Sequence, residues 1–185
     1  YAVRHIPVSN DLFDGVKPKE GYYLPLESCY RMALAELLPT VDKILYLDGD
    51  LIVNGDIRAF YDVDISDVLL AGVLDTYIRN VGYDRRIGVA DYINSGVLLM
   101  NLSKMRTDGI LRKFISCYNL RREQLEIVDQ DLINIVCAGQ IAFVGKRYNF
   151  TSADRLNSHA CRLFLAKIIH YTGRVKPWHK DNWRW

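Results

Sequence analysis

Residues 43–55, KILYLDGDLIVNG, set the tightest limit on what this chain can fold into. Ile44, Leu45, Tyr46 and Leu47 form a continuous apolar run, as expected of a strand covered on both faces, and such strands belong to parallel α/β sheets. The run stops at Asp48-Gly49-Asp50, and a second apolar run, Leu51 to Val53, follows. Ligands of α/β sheets sit beyond the carboxyl ends of strands, so chemistry is expected at this junction. Alternate side chains of an extended backbone point the same way. Asp48 and Asp50 therefore offer two carboxylates to one side, with Gly49 leaving room near the backbone. Two converging carboxylates make a hard site for a divalent cation. The plainer reading is a turn, since Asp-Gly is common turn chemistry. Against it, no nearby Lys or Arg neutralises the pair, and burying two carboxylates without a cation is costly.

With 185 residues, half of them apolar, the chain can bury a core, and a single domain is expected. The formal charge of +2 gives no general field for nucleic acid or an acidic membrane, so any anionic partner must be bound locally. Cys29, Cys117, Cys137 and Cys161 are far apart and form no Cys-x-x-Cys pair; they read as reduced thiols of a cytosolic protein. No run reaches the roughly 18 apolar residues of a membrane span, and no signal-peptide pattern opens the chain. Tyr1 at one end and Asn182-Trp183-Arg184-Trp185 at the other suggest a fragment at both ends.

Taken in order, residues 1–21 carry loop chemistry. Leu26, Cys29, Met32, Ala33 and Leu37 then mark one helical face ended by Pro39, with Arg31 on that helix as a candidate phosphate or sugar contact. Val68 to Leu74 is a further apolar strand, closing on Asp75, which suggests a rim shared with Asp48 and Asp50. Residues 76–91 form a polar loop long enough for a lid or an acceptor-contacting flap. Asn94 and Ser95 lead into the buried strand Val97 to Met100 and face the same rim. Leu102 to Leu120 reads as one helix capped by Ser103. Asp129-Gln130-Asp131 opens a short helix that either aspartate can cap, and a helix start aimed at a pocket can also orient a sugar hydroxyl. Residues 141–144 and 148–150 look like a hairpin pair, and residues 151–166 are weakly helical.

Near the end, IIHYTGRVKPWH begins as a strand and turns at Gly173. His170 at its end is either an ordinary rim histidine or, with Asp48 and Asp50, the imidazole of a site that suits Mn²⁺ and leaves positions for phosphate oxygens. Lys176, beside Pro177, is then a cation facing the same diphosphate.

YLDGDLIV, YINSGVLLMNL, VDQDLIN, RYNF and IIHYTGRVKPWH, in that order, resemble the retaining glycosyltransferases of family 8, which include bacterial lipopolysaccharide galactosyl- and glucosyltransferases and, more remotely, glycogenin. The resemblance runs from about Tyr30 to His179 and implies a GT-A-type nucleotide-sugar transferase fold, α/β with a mixed, mostly parallel sheet flanked by helices. It implies Asp48, Asp50 and His170 as ligands of Mn²⁺, with Mg²⁺ as the second choice, and Gly173 and Lys176 as the diphosphate turn. Arg31, Asn94, Ser95, Asp129 and Gln130 match positions around the donor sugar, Gln130 nearest the anomeric carbon, and Asp75 falls on the acceptor side. The implied partners are a UDP-glucose or UDP-galactose donor and a saccharide acceptor, with no nucleic acid. The implied setting is cytoplasmic, at the inner face of the membrane through segments outside residues 1–185. In such enzymes the first strands and helices bind uridine, and that part is expected to precede Tyr1. A nucleotidyltransferase, or a sugar- or partner-binding module of the same fold, are the alternatives; the first needs a glycine-rich basic phosphate loop that the chain does not show.

Overall fold

A computed structural model describes residues 2–16, 26–156, 165–173 and 176–179. The segment expected to be one helix after Pro25 is three pieces: α1 (Leu26–Cys29), a 3-10 turn (Tyr30–Ala33) and α2 (Leu34–Leu37). The tighter 3-10 winding changes the direction in which successive side chains leave the backbone. Arg31, Met32 and Ala33 are all buried there, so Arg31, the candidate phosphate or sugar contact, points inward rather than into solvent.

β1 (Lys43–Leu47) and β2 (Leu51–Val53) flank the Asp-Gly-Asp junction. They lie in different sheets. α3 (Arg58–Tyr61) buries Phe60, which stacks on Tyr148 with ring centroids 5.0 Å apart. After β3 (Leu70–Leu74), residues 76–91 are not a lid-like loop but two short helices, α4 (Thr76–Val81) and α5 (Tyr83–Ile87). Asp75 caps α4 by accepting from the Ile78 N–H at 3.1 Å, and Gly82 ends it in the left-handed region at φ 69°, where a side chain would be strained.

β4 (Ile93–Asn101) is the buried axis of the molecule. The helix expected from Leu102 to Leu120 divides at Asp108-Gly109 into α6 (Leu102–Thr107) and α7 (Ile110–Arg121). Asn101, rather than Ser103, caps α6, accepting from the Lys104 N–H at 2.9 Å. Then follow α8 (Val128–Val136), β5 (Ile141–Phe143), β6 (Phe150–Thr151), α9 (Ser152–Leu156) and β7 (Ile168–His170). Residues 141–144 and 148–150 do not form a hairpin, because β5 joins β3 and β6 joins β7.

The larger sheet has the order β1-β4-β3-β5 and the smaller β2-β7-β6. Along β4, Leu98 and Met100 enter one core layer with Phe114, Leu132 and Ile133, while Val97 and Leu99 enter the other with Phe60, Tyr148 and Ile168. Each such side chain contributes about 1.5–3 kcal/mol by leaving water. β1 repeats the alternation, with Ile44 and Tyr46 against the first layer and Leu45 and Leu47 against the second. Among the described residues it is nonetheless an edge strand and only half-buried. The α/β class with a mixed sheet holds; among the described residues, antiparallel pairs outnumber the parallel ones expected to dominate. β1/β4, β3/β4 and β2/β7 are antiparallel, whereas β3/β5 and β6/β7 are parallel. A continuous apolar run reports cover on two faces and carries no information about strand direction.

Cys29, Cys117 and Cys137 are free thiols, and burial pushes Cys29 up to about 11 and Cys137 up to about 12. Cys161 lies outside the described residues.

Candidate functional site

The two sheets meet where β1 gives way to β2. The Asp48 N–H still donates to the Gly96 carbonyl at 2.8 Å, which extends the β1/β4 ladder by one step. Three residues later, Leu51 stands opposite His170 in the β2/β7 pair, and the Tyr171 N–H donates to the Asp50 carbonyl at 3.0 Å. The smaller sheet thus carries His170 to the acids, and one ligand atom from each of Asp48, Asp50 and His170 lies within 4.8 Å of the others. His170 Nε2 is 3.1 Å from Asp50 Oδ1 and 3.7 Å from Asp48 Oδ2.

Space for this cluster depends on Gly96. A Cβ there would lie 2.2 Å from His170 Cε1 and 2.5 Å from Asp48 Oδ2, so no other residue fits without displacing a member of the trio. Two carboxylates and an imidazole, held together in a cradle that only glycine leaves open, fit a divalent cation of the Mn²⁺ or Mg²⁺ kind.

The imidazole is oriented from behind. Its Nδ1 lies 3.0 Å from Asn149 Oδ1, and Asn149 Nδ2 donates to Asn94 Oδ1 at 2.9 Å. With the Asn149 amide fixed in that sense, its oxygen accepts from Nδ1–H, leaving the Nε2 lone pair toward the acids. Burial pushes the His170 pKa below its ordinary value against the opposing pull of Asp50 and Asp48, which favours this neutral form. Asn149 is fully buried. From sequence it is only the middle residue of the strand expected over 148–150, with no sign that its amide meets His170.

The same chain of amides continues to Gln130. Asn94 Nδ2 donates to Asp75 Oδ2 at 3.1 Å and to Gln130 Oε1 at 3.2 Å, the Ser95 N–H donates to Gln130 Oε1 at 3.0 Å, and Gln130 Nε2 donates to Asp75 Oδ2 at 3.3 Å. Asp75, Asn94, Ser95 and Gln130 are therefore one buried network connected through Asn149 to His170.

The expectation that no basic residue neutralises the two acids is overturned. Arg31 Nη2 lies 3.1 Å from Asp48 Oδ1 and 3.4 Å from Asp129 Oδ2, and its Nη1 donates to the Ser95 carbonyl at 2.8 Å. Its guanidinium stacks over Tyr46 at 4.8 Å, and the Tyr46 hydroxyl donates to Asp48 Oδ1 at 2.7 Å. Lys176 Nζ reaches Asp50 Oδ2 at 2.5 Å and the Tyr171 carbonyl at 2.6 Å. Burial is the largest influence on the Asp50 pKa and would raise it, but Lys176, His170 and a backbone hydrogen bond together outweigh it and the net shift is downward. Burial raises Asp129 against the opposing charge of Arg31. These cations come from positions 17 residues before and 126 residues after their partners, so local sequence does not reveal them. Gly173 is an exposed bend shortly after His170, at φ 94°.

Neither Asp129 nor Asp131 caps α8 from the usual position, which is held by Ile127. Asp131 instead reaches back, accepting from the Glu126 and Ile127 N–H groups at 3.0 Å each and from the Tyr83 and Tyr92 hydroxyls at 2.6 and 2.5 Å. Those four bonds pin the start of α8, and with it Asp129 and Gln130.

Comparison with known proteins shows the family and the fold. A protein of Haemophilus influenzae is 33% identical over 183 residues, 95% of this chain and 55% of its own length. The lipopolysaccharide 1,2-glucosyltransferase of Escherichia coli K12 is 29% identical over 164 residues, 82% of this chain and 48% of its own. The chain thus spans about half the length of these curated relatives. The crystal structure of the galactosyltransferase LgtC in complex with donor and acceptor sugar analogs superposes with a TM-score of 0.83 at 30% identity, covering 98% of this chain and 70% of that one. This likeness supports the GT-A-type fold. The family model for glycosyl transferase family 8 matches residues 10–182, and the chain belongs to that family.

Proposed function

We propose that this chain carries the catalytic centre of a retaining hexosyltransferase, moving glucose or galactose from a UDP-sugar to a saccharide acceptor with Mn²⁺ held by Asp48, Asp50 and His170. The observation that carries the reading is the convergence of those three side chains at the seam of two sheets, joined through Asn149 and Asn94 to Gln130. When bound, the ion supplies positive charge to the departing diphosphate. Lys176 and Arg31 add fixed positive charge beside it. Lys176 would exchange its bond to Asp50 for one to a diphosphate oxygen, with the turn at Gly173 bringing it there.

Arg31, Asp129, Asn94 and Ser95 surround the place proposed for the donor sugar, and their buried polar groups suit hydroxyls that both donate and accept. Gln130 is an amide whose oxygen already accepts from Asn94 and the Ser95 N–H, so it serves as a fixed dipole near the anomeric carbon rather than as a nucleophile. A same-face displacement follows: the bond from the anomeric carbon to the phosphate oxygen breaks as that to the acceptor oxygen forms, and the departing phosphate takes the acceptor proton. Asp75 lies on the acceptor side of Gln130.

The names of several relatives support a role in lipopolysaccharide or cell-surface glycan synthesis. We place that role in the cytoplasm, at the membrane's inner face; among the described residues no helix is long and apolar enough to cross a membrane. UDP release from UDP-glucose and UDP-galactose, with and without Mn²⁺, tests the reading in the protein as its gene encodes it. Metal-dependent release is expected, and metal-independent release or none rejects it.

A further inference from the structure

The two carboxylate oxygens of Asp48 have different surroundings. Oδ1 accepts from the Tyr46 hydroxyl at 2.7 Å and lies 3.1 Å from Arg31 Nη2. Oδ2 lies 3.7 Å from His170 Nε2 and is the oxygen that a Cβ on Gly96 would meet at 2.5 Å. A carboxylate oxygen has two lone pairs, so a hydroxyl and a guanidinium together fill Oδ1. Oδ2 is the oxygen that Asp48 brings to the trio.

This division is built into β1. The Asp48 N–H continues the β1/β4 ladder, so Tyr46, two residues earlier on extended backbone, projects to the same side and its hydroxyl reaches the carboxylate. The Tyr46 ring packs against the core layer that holds Phe114 and Leu132, and the Arg31 guanidinium lies over it, 4.8 Å from the ring centroid. Arg31 is also held independently of the acids: its Nε donates to the Ser28 carbonyl at 3.1 Å and its Nη1 to the Ser95 carbonyl at 2.8 Å. Both donors to Oδ1 are therefore preorganised. Asp50 differs, because the partner of its Oδ2 is Lys176, 126 residues later, which the proposed reaction turns toward the diphosphate.

Cations respond differently to a carboxylate limited to one oxygen. Ca²⁺ gathers about 6–8 oxygens at about 2.3–2.6 Å and often takes both oxygens of one carboxylate. Mg²⁺ demands near-octahedral geometry at about 2.0–2.1 Å, and Mn²⁺ shares the octahedral preference; the narrow bite of a chelating carboxylate departs from the right angles of that geometry.

We propose that Tyr46 determines the ion preference of the candidate metal site: by filling Asp48 Oδ1 together with Arg31, it restricts Asp48 to one ligand oxygen, which denies Ca²⁺ a ligand and leaves a small octahedral ion unaffected. The inference rests on the metal assignment within the transferase reading above and adds to it the group that selects the ion. Tyr46 acts through Asp48 as a positioning residue and gives no atom of its own to the ion.

Tyr46→Phe removes one oxygen atom and keeps the ring beneath Arg31. In the protein as its gene encodes it, and without UDP-sugar, Mn²⁺ affinity is read from the electron paramagnetic resonance of the free ion, and Ca²⁺ affinity from the Mn²⁺ that it displaces. The parent should prefer Mn²⁺, and Tyr46→Phe should lower that preference about tenfold, chiefly by tighter Ca²⁺ binding. In the Ca²⁺-loaded variant, the infrared separation between antisymmetric and symmetric carboxylate stretches should narrow relative to the Ca²⁺-loaded parent, the signature of a carboxylate that gives both oxygens. An unchanged preference, or equal losses for both ions as a merely structural hydroxyl would produce, overturns the proposal. A parent protein that binds the two ions equally well, or binds neither, overturns it without reference to the variant. Mn²⁺ preference that falls as expected in Tyr46→Phe, with no metal-dependent UDP release in the parent, would reject the transferase reading and leave the ion selection standing. Metal-dependent release together with a parental preference in Tyr46→Phe would reject the ion selection alone.

Discussion

Asn149 Oδ1 lies 3.0 Å from His170 Nδ1, and this single contact determines which imidazole nitrogen faces Asp48 and Asp50. Asn149 is itself held by its bond to Asn94, so the proposed metal ligand and the Gln130 network share one chain of oriented amides. Partners of this kind typically contribute 10–100-fold to metal affinity. Replacing Asn149 with Ala should therefore weaken Mn²⁺ binding by about 10–100-fold, measured by calorimetric titration, while leaving the far-UV circular dichroism unchanged. Wild-type affinity in that variant would remove Asn149 from the site.

Gly96 makes a second, steric prediction. The extra methyl of Gly96→Ala would overlap His170 and Asp48, whose ring and carboxylate are held by their own partners. Mn²⁺ affinity should fall by at least tenfold, and the melting temperature should drop as the overlap is relieved by displacement. An alanine variant with undiminished affinity would show that the trio is looser than its distances indicate.

Much of this centre is legible from residues 43–55 and 168–179 alone. The two acids at a strand end, the imidazole at another and the lysine after a turn are all local patterns. Arg31 was visible as a residue but not as the partner of Asp48, because a 3-10 turn inside an apparently regular helix decides where it points. Asn149 and Gly96 carried no local signal, since their importance comes from what folds against them. The apolar run of β1 correctly reported cover on two faces; its antiparallel pairing with β4 depends on a neighbour 50 or more residues away.

Asp131 is fully buried and accepts four hydrogen bonds, two of them from tyrosine hydroxyls. Tyr92→Phe removes one donor without changing the ring that packs edge-on to Tyr83. The unpaired carboxylate oxygen should cost about 1–3 kcal/mol in urea denaturation, and a change within experimental error would show that Asp131 needs fewer donors than it has.

Asp154 ties the start of α9 to α4 and β6. Burial alone would raise its pKa, but the Thr76 hydroxyl, the Thr151 N–H and the Lys146 ammonium outweigh it and hold the carboxyl below the ordinary 3.8. A depressed folded value means that the stabilisation is fully present above the ordinary carboxylate pKa and is lost as pH falls through the folded one. The stability difference between the parent and Asp154→Asn should therefore hold steady down to about pH 4 and shrink at lower pH. A difference that stays constant across the acid range would mean that this carboxylate is not coupled to folding.

The most direct test is of the shared cation itself. Mn²⁺ binding, followed by the electron paramagnetic resonance of the free ion, can be compared between the parent protein and Asp48→Ala, Asp50→Ala and His170→Ala. One ion per chain is expected in the parent, with affinity at least tenfold lower in every variant and the fold retained by circular dichroism. Three variants that each still bind one ion with parental affinity would contradict the account at its centre.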